Sequence, residues 1–393
     1  MLKREYDNLN RLLKKGKVIV IYGPRRVGKT TLINNFIKNS KLKCKFGSGD
    51  NIEIRNVFSS QSLEVISRYV EGYELIAIDE AQRIPKVGLG LKILVDNFPD
   101  LFVVVTGSAS LDLSYRIGEP LVGRKYTYRL YPLWAGELVE NKNTFELDQK
   151  KEERMIFGSY PEIISVSTAG ERIKILEENI SSYLFKEIVE IEQIGNTKIL
   201  LDLLKLIAFQ VGNEVSLTEL GGSLGIDKKT VRRYLNLFEQ SFILYNLRGY
   251  SRNLRKEVTK KSKYYFWDNG IRNAVIKNFN DLETRDDVGA LWENYLISER
   301  LKRQEYRQIY ANNYFWRTWE GQEIDWVEER EGKLYGFEFK WKNKEKEVKP
   351  PSLWITTYPN ASFQIVSQKN YFEFILNDPK SKLLHGRASA VSG

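Results

Sequence analysis

The sequence predicts an α/β protein of more than one domain, with a parallel sheet in its first part. Three observations lead there. Short apolar runs of strand length recur at Val18–Ile21, Leu75–Ile78 and Leu101–Val105, and each runs into polar or glycine residues. A helical pattern with Leu32, Phe36 and Ile37 on one face follows the first run directly, the strand–loop–helix order of an α/β fold. Far along the chain, a helix pattern at Gly289–Glu299 precedes alternating strand patterns around Tyr314–Arg317, Ile324–Val327 and Leu334–Trp341. The 393 residues, 42% of them hydrophobic, suffice for two or three ordinary cores.

Charge and rare residues narrow the chemistry. Lys and Arg number 61 against 51 Asp and Glu, a formal charge of +10, which favours a polyanionic partner; surplus surface lysine is the alternative. The single cysteine, Cys44, permits no intrachain disulfide. The single histidine, His385, sits in a polar C-terminal tail, so Ser-His-Asp triads and histidine-ligated metals are excluded. Catalysis would have to run on carboxylates, lysines, arginines, hydroxyls and a bound cation. No apolar run approaches the ~20 residues of a membrane span, and the first residues, MLKREYDNLNRLLKKGK, carry no apolar signal region. The expectation is a soluble cytoplasmic protein with no membrane partner.

The first element is the run Val18–Tyr22, followed at once by Gly23-Pro24-Arg25-Arg26-Val27-Gly28-Lys29-Thr30-Thr31. This is GxxxxGK[ST] between a strand and a helix, the P-loop context. The two glycines let the loop curl so that backbone N–H groups surround phosphates at a helix N-terminus. Lys29 is expected to neutralise β/γ oxygens and the Thr30 hydroxyl to ligate Mg2+, so ATP and Mg2+ are the expected cofactors. The second run ends in Asp79-Glu80: Asp79 suits a magnesium-positioning acid and Glu80 a base that polarises water, although an acid at a strand end can also be merely exposed. The third run leads into Thr106-Gly107-Ser108, where Ser108 is a candidate sensor of the γ-phosphate. Strands that all end in polar residues fit ligand binding at the carboxyl edge of a parallel sheet.

The stretches GPRRVGKTTL, LIAIDEAQRIP, VVVTGSASLDL, LVGR and LYPLWAGEL occur in the order found in a widespread prokaryotic family of AAA+-type P-loop ATPases, which this sequence resembles over about residues 1 to 375. The resemblance implies that Arg124, of the GR pair, is a charge stabiliser, an arginine finger or sensor; Arg116 is a second candidate, and a solvent-facing or salt-bridged role is the alternative. An arginine acting on a neighbour's nucleotide would require a homo-oligomer.

Between Lys150 and about Gln210 apolar residues repeat at helical spacing, among them Ile173, Leu176, Ile180, Tyr183 and Leu184, which predicts a helical lid. The interruption Phe157-Gly-Ser-Tyr-Pro161 resembles a GGYPE element of the family, with Ser159 in place of its second glycine. From Ser216 a helix, the Gly221–Ile226 turn and a helix capped by Asp227 form a helix-turn-helix, and Phe242–Leu244 lead into a wing strand. Lys228, Lys229, Arg232 and Arg233 crowd the second helix, where a recognition helix meets DNA, and Arg248, Arg252, Arg255, Lys256, Lys260, Lys261 and Lys263 follow. A protein-packing module with a solvated basic face is the alternative to a DNA partner.

In the last part, Tyr264–Trp267 reads as an aromatic strand, Asp268–Gly270 as its turn and Gly289–Glu299 as a helix. A hairpin would then bring Asp325 beside Glu338, with Glu338 and Lys340 on one face. This D…ExK arrangement resembles the PD-(D/E)xK nuclease fold, which implies Mg2+ held by Asp325, Glu338 and the helix acid Glu293, and water oriented by Lys340. The motif positions Glu293-Asn294, Trp316-Arg317, Glu323-Ile-Asp325 and Glu338-Phe-Lys340 match the family; Ile324 stands where many such nucleases have proline. A charged hairpin holding an ion pair is the other reading. The expected architecture is thus an α/β P-loop NTPase parallel-sheet domain (1–135), a helical lid (136–212), a winged helix-turn-helix (213–262), a C-terminal α/β restriction-endonuclease-like domain (263–378) and a disordered tail (379–393). Two functions stand side by side: an ATP-dependent enzyme that binds and cuts DNA, and a regulatory ATPase switch whose C-terminal domain only binds DNA or a protein.

Overall fold

A computed structural model describes residues 2–107, 120–139, 143–180, 197–250, 262–342 and 349–377. The expectations for Ser108, Arg116, Tyr183, Leu184, Arg252, Arg255, Lys256, Lys260, Lys261 and the tail fall outside them. The described residues form two compact units. One comprises residues up to Phe209 with Leu217–Tyr245 and Phe266–Asn280; the other comprises Gln210–Ser216, described residues of Asn246–Tyr265, and those from Asp281 onward.

The first unit is built on strands β1 (Val18–Tyr22), β2 (Cys44–Ser48), β3 (Leu75–Asp79), β4 (Phe102–Gly107) and β5 (Lys125–Arg129). They pair in the order β2-β3-β4-β1-β5, every pair parallel. All residues of β1 and β3 are buried, as continuous apolar runs in a two-faced sheet require. The covering helices are α1 (Lys29–Asn39), α2 (Ile52–Ser59), α3 (Leu63–Val70) and α4 (Val87–Asn97). Asn51 and Ser62 cap α2 and α3 by accepting backbone N–H bonds. Tyr22 pairs with Gly107 and Ile78 with Val105, so the carboxyl ends of β1, β3 and β4 share one edge.

After β5 the chain is helical, with α5 (Ala135–Val139), α6 (Thr144–Gln149), α7 (Lys151–Phe157), α8 (Pro161–Ser165), α9 (Ala169–Glu178) and α10 (Thr197–Phe209). Pro161 opens α8, where its missing N–H costs no hydrogen bond. The helices α11 (Leu217–Leu224) and α12 (Lys228–Gln240) follow, and Asp227 caps α12 as the sequence suggests, accepting from Lys229 N at 2.7 Å and Thr230 N at 3.0 Å. In α13 (Asn269–Ile276), Asn273 donates to the carbonyls of Met155 and Ile156 at 3.1 and 2.8 Å, tying it to α7.

The second unit centres on a seven-stranded sheet in the order β12-β11-β10-β9-β7-β8-β6. Its strands are β6 (Glu214–Val215), β7 (Leu244–Gly249), β8 (Ser262–Phe266), β9 (Asn312–Arg317), β10 (Glu323–Arg330), β11 (Lys333–Lys340) and β12 (Ser362–Ser367). The hairpin β10–β11 is antiparallel, while β7–β9 and β11–β12 are parallel. The strand expected as a wing, β7, and the aromatic strand β8 are thus members of one sheet with the D…ExK hairpin. Its helices are α14 (Val288–Tyr306), α15 (Ser352–Thr357) and α16 (Tyr371–Leu376). Trp316, Ile324, Val327, Trp354 and Tyr358 form one core cluster. Deeper still, Arg300 of α14 pairs with Glu328 of β10 at 2.5 and 2.8 Å with neither side chain exposed, Gln304 and Trp326 donate to the same carboxylate, and Arg330 lies 3.4 Å from it.

Candidate functional site

The first group of predicted residues lies at the carboxyl edge of the five-stranded sheet. Gly23 leaves β1 in close approach to the next segment: a β-carbon there would sit 1.9 Å from the Leu130 carbonyl oxygen. Gly28 has φ +93°, a left-handed conformation that suits glycine, and α1 starts at the next residue. Val27 is fully buried, while Arg26 reaches Glu162 of α8 at 3.2 Å. Lys29 is buried and folds back on the loop, donating to the carbonyls of Gly23 and Pro24 at 2.9 and 2.7 Å. Its ammonium therefore lies inside the curl of the loop.

Asp79, at the end of β3, joins this group. Thr30 donates its hydroxyl to Asp79 Oδ2 at 2.7 Å, and Thr106 at the end of β4 donates to Oδ1. Three elements distant in sequence thus converge on one carboxylate. Glu80 follows in a left-handed conformation, φ 50° and ψ 40°, and accepts from Gln82 Nε2 at 2.5 Å. A non-glycine residue held there carries backbone strain, a condition common where a side chain must be aimed. Arg124 is not brought to this group. It precedes β5, its carbonyl accepts from Val18 at the start of β1, and its exposed guanidinium pairs with Asp96 at 2.6 Å. Since β1 and β5 are parallel, Arg124 lies at the sheet edge opposite Gly23.

The second group lies in the C-terminal unit. Trp326 opposes Phe337, so the hairpin register sets Asp325 across from Glu338. Asp325 Oδ2 accepts the Phe339 N–H at 2.8 Å, and Lys340 Nζ pairs with Glu338 Oε1 at 2.7 Å. Glu338 Oε2 is buried without a hydrogen-bond partner among the described residues. On α14, Glu293 accepts from the Tyr265 hydroxyl at 2.5 Å. Lys263 is almost wholly buried and pairs with Glu323.

Electrostatics bind these side chains into a cluster. Burial pushes the Asp325 carboxyl well above its ordinary range, and the charges of Glu293 and Glu338 push it the same way. Glu293 is also raised by burial, against the pull of Lys263 and of the Tyr265 hydrogen bond. Burial opposes the charge on Lys263, yet Glu293, Glu323 and Asp325 together carry its pKa upward. Lys340 follows the same pattern, with Glu338 the main counterweight to burial. Among the described residues no three or more His, Cys, Asp or Glu side chains stand in a metal-holding group. Sequence reasoning missed Tyr265, and counted Lys263 only as surplus charge. The available signal was the two-residue spacing that puts both on one face of β8.

The comparisons with known proteins divide the chain into three stretches. A family described as "AAA domain" matches residues 15–139. Residues 148–282 and 288–375 match two families each described as a domain of unknown function. An uncharacterised protein of Mycobacterium tuberculosis is 27% identical over 340 residues, covering 84% of this chain and 72% of that protein. An uncharacterised protein of Methanocaldococcus jannaschii is 25% identical over 394 residues, covering 94% and 86%. Among solved structures, a Signal Transduction ATPase with Numerous Domains protein with a tetratricopeptide repeat sensor, from Pyrococcus horikoshii, is 14% identical with a TM-score of 0.29; 79% of this chain is covered but only 48% of that one. Residues 15–139 thus form an AAA-type P-loop ATPase domain. Among the described residues no helix is long and apolar enough to cross a membrane.

Proposed function

We propose that this chain is a magnesium-dependent ATP hydrolase whose nucleotide cycle serves a DNA-handling C-terminal half. The observation that carries the hydrolase reading is the pairing of Thr30 with Asp79 at 2.7 Å, beside a loop whose lysine is curled inward. A hydroxyl and a carboxylate so joined are a fitting donor set for Mg2+, and Thr30 and Asp79 are the residues that would hold it. When bound, that ion supplies charge neutralisation between phosphate oxygens. Lys29 would exchange the Gly23 and Pro24 carbonyls for phosphate oxygens, and the loop N–H groups from Arg25 to Thr31 would surround the rest. Glu80, held by Gln82, would take a proton from the attacking water. Ser108 keeps its assignment as γ-phosphate sensor. Arg124 could act only on the nucleotide of a neighbouring copy, which makes a homo-oligomer part of this reading.

Two features support a DNA partner. Lys228, Lys229, Arg232 and Arg233 are all exposed on the capped helix α12, a basic face suited to phosphates. The acid–lysine cluster suits magnesium-dependent phosphodiester cleavage: Asp325 and Glu338 would hold the ion, the unpartnered Glu338 Oε2 fits a cation, and Lys340 would orient water and offset phosphate charge. Glu293, engaged by Tyr265, would act as a further acid beside them. A second reading, a regulatory ATPase switch whose C-terminal unit only binds DNA or protein, draws support from the Lys340–Glu338 ion pair.

Phosphate release from Mg-ATP, compared with Lys29→Ala, tests the first reading; equal rates would remove it. Linear, circular and single-stranded DNA incubated with Mg2+, with and without ATP, tests the second. Cleavage lost in Lys340→Ala supports the enzyme, whereas DNA retention without any cleavage supports the switch.

A further inference from the structure

The family match begins at residue 15, yet the P-loop is gripped by a residue upstream of it. Arg4 is 8% exposed and spreads its guanidinium over three partners. Nε pairs with Glu137 Oε1 at 2.9 Å, Nη2 donates to the Tyr131 carbonyl at 2.7 Å, and Nη1 donates to the carbonyl of Val27 inside the loop. A β-carbon on Gly28 would come within 3.6 Å of the same Nη1. Asp7 accepts the Arg4 N–H at 2.8 Å, and Tyr6 packs edge-on against Tyr128 of β5 with ring centroids 5.5 Å apart, so the segment carrying Arg4 is itself anchored. Glu137 is equally committed: Oε1 also accepts the Glu5 N–H at 2.8 Å, and Oε2 accepts that of Trp134 at 3.1 Å.

The geometry points to Arg4 as a positioning residue for nucleotide binding, acting through the loop carbonyl. A loop whose N–H groups are kept for phosphates cannot use them to satisfy its own carbonyls, and a buried carbonyl needs a donor. Val27 is such a residue, and Arg4 is its donor. The same guanidinium holds the Tyr131 carbonyl, beside the Leu130 carbonyl against which Gly23 packs, so both ends of the loop are referred to one rigid planar group. Lysine cannot reproduce this, because a point-like ammonium does not span three partners in a plane. The inference rests on the nucleotide-binding reading of the P-loop.

The test measures affinity for a fluorescent ribose-labelled ADP and for ATP in the full chain, alongside the thermal midpoint. Arg4→Met is expected to weaken both nucleotides by about 10- to 100-fold, because the displaced loop N–H groups grip phosphates common to both. Arg4→Lys retains the charge and stem, serves where the methionine variant does not fold, and is expected to weaken binding in the same direction. Leu147→Ala, a core truncation in α6, is the control for lost stability and is expected to bind nucleotide as the parent does. Folded Arg4 variants with parental affinity overturn the proposal, as does a Leu147→Ala chain that loses affinity equally. A parent chain that binds no nucleotide overturns the ATPase reading itself, and the clamp falls with it.

Discussion

Substituting Gly23 by alanine asks whether the loop must leave β1 in contact with the segment after β5. The added β-carbon would stand 1.9 Å from the Leu130 carbonyl oxygen, where contacts under 3.0 Å are essentially never found. One side must therefore retreat by about 1 Å or more. Leu130 is restrained, since its N–H donates to the Tyr22 carbonyl at 2.8 Å and the next carbonyl, of Tyr131, is held by Arg4. The movement is expected in the loop, against the hold of Arg4 on Val27. Misplacing groups that grip a reacting phosphate by ~1 Å costs about 100-fold in rate, or ~2.8 kcal/mol at ~1.4 kcal/mol per factor of ten. Steady-state phosphate release should show kcat/KM for ATP down by about that factor, with circular dichroism and the thermal transition retained. Turnover by Gly23→Ala within about threefold of the parent would refute the reasoning, because the contact with Leu130 would then be dispensable during catalysis.

Further tests address the remaining parts. Glu80→Gln should abolish phosphate release while leaving ATP binding within about threefold, since the amide keeps the size of the side chain but cannot take a proton; equilibrium binding with single-turnover hydrolysis separates the two. Arg300→Met removes the main counter-ion of the buried Glu328, leaving it Arg330 and the neutral donors Gln304 and Trp326, and should cost the C-terminal unit about 3 kcal/mol, read from its denaturant midpoint. Asp325 has a raised folded pKa, so its contribution is fully present at acid pH and is lost as pH rises through that pKa. Asp325→Asn should consequently flatten the fall in stability as pH rises from the ordinary carboxylate range to that raised pKa, and thermal scans across pH that leave the parent slope intact would contradict it.

What the sequence could disclose depended on how local the information was. The P-loop, the Asp79-Glu80 strand end and the Asp227 cap each need a few neighbouring residues, and all were legible. Arg4 was not: its ion pair joins residues 133 positions apart, and nothing near Arg4 announces a loop carbonyl in need of a donor. Nor was the membership of β6, β7 and β8 in one sheet with the D…ExK hairpin, since strand pairing over such separations leaves no local pattern. Arg124 shows the opposite difficulty. Its motif suggests charge stabilisation, but the register of β5 against β1 decides which edge of the sheet it occupies, and that edge faces away from its own chain's P-loop.

Two buried carboxylates on one strand have opposite electrostatic surroundings. Glu328 and Asp325 lie three residues apart on β10, and both are largely buried. Burial opposes ionisation of Glu328, but the Arg300 guanidinium, with Trp326 and Arg330, overcomes it and holds the carboxyl below its ordinary range. That is how a buried acid is satisfied when its task is to hold the fold together. Asp325 has the Phe339 N–H and the pull of Lys263, and both lose to burial and to the neighbouring acids. An ion-paired hairpin of purely structural purpose would resemble the Glu328 case. A carboxylate held in a neighbourhood that resists its ionisation lowers stability, and the resistance falls away when a cation or proton enters the cluster. Added Mn2+ should therefore raise the thermal midpoint of the parent chain without nucleotide more than that of Asp325→Asn, and equal shifts would place Asp325 with the structural charges.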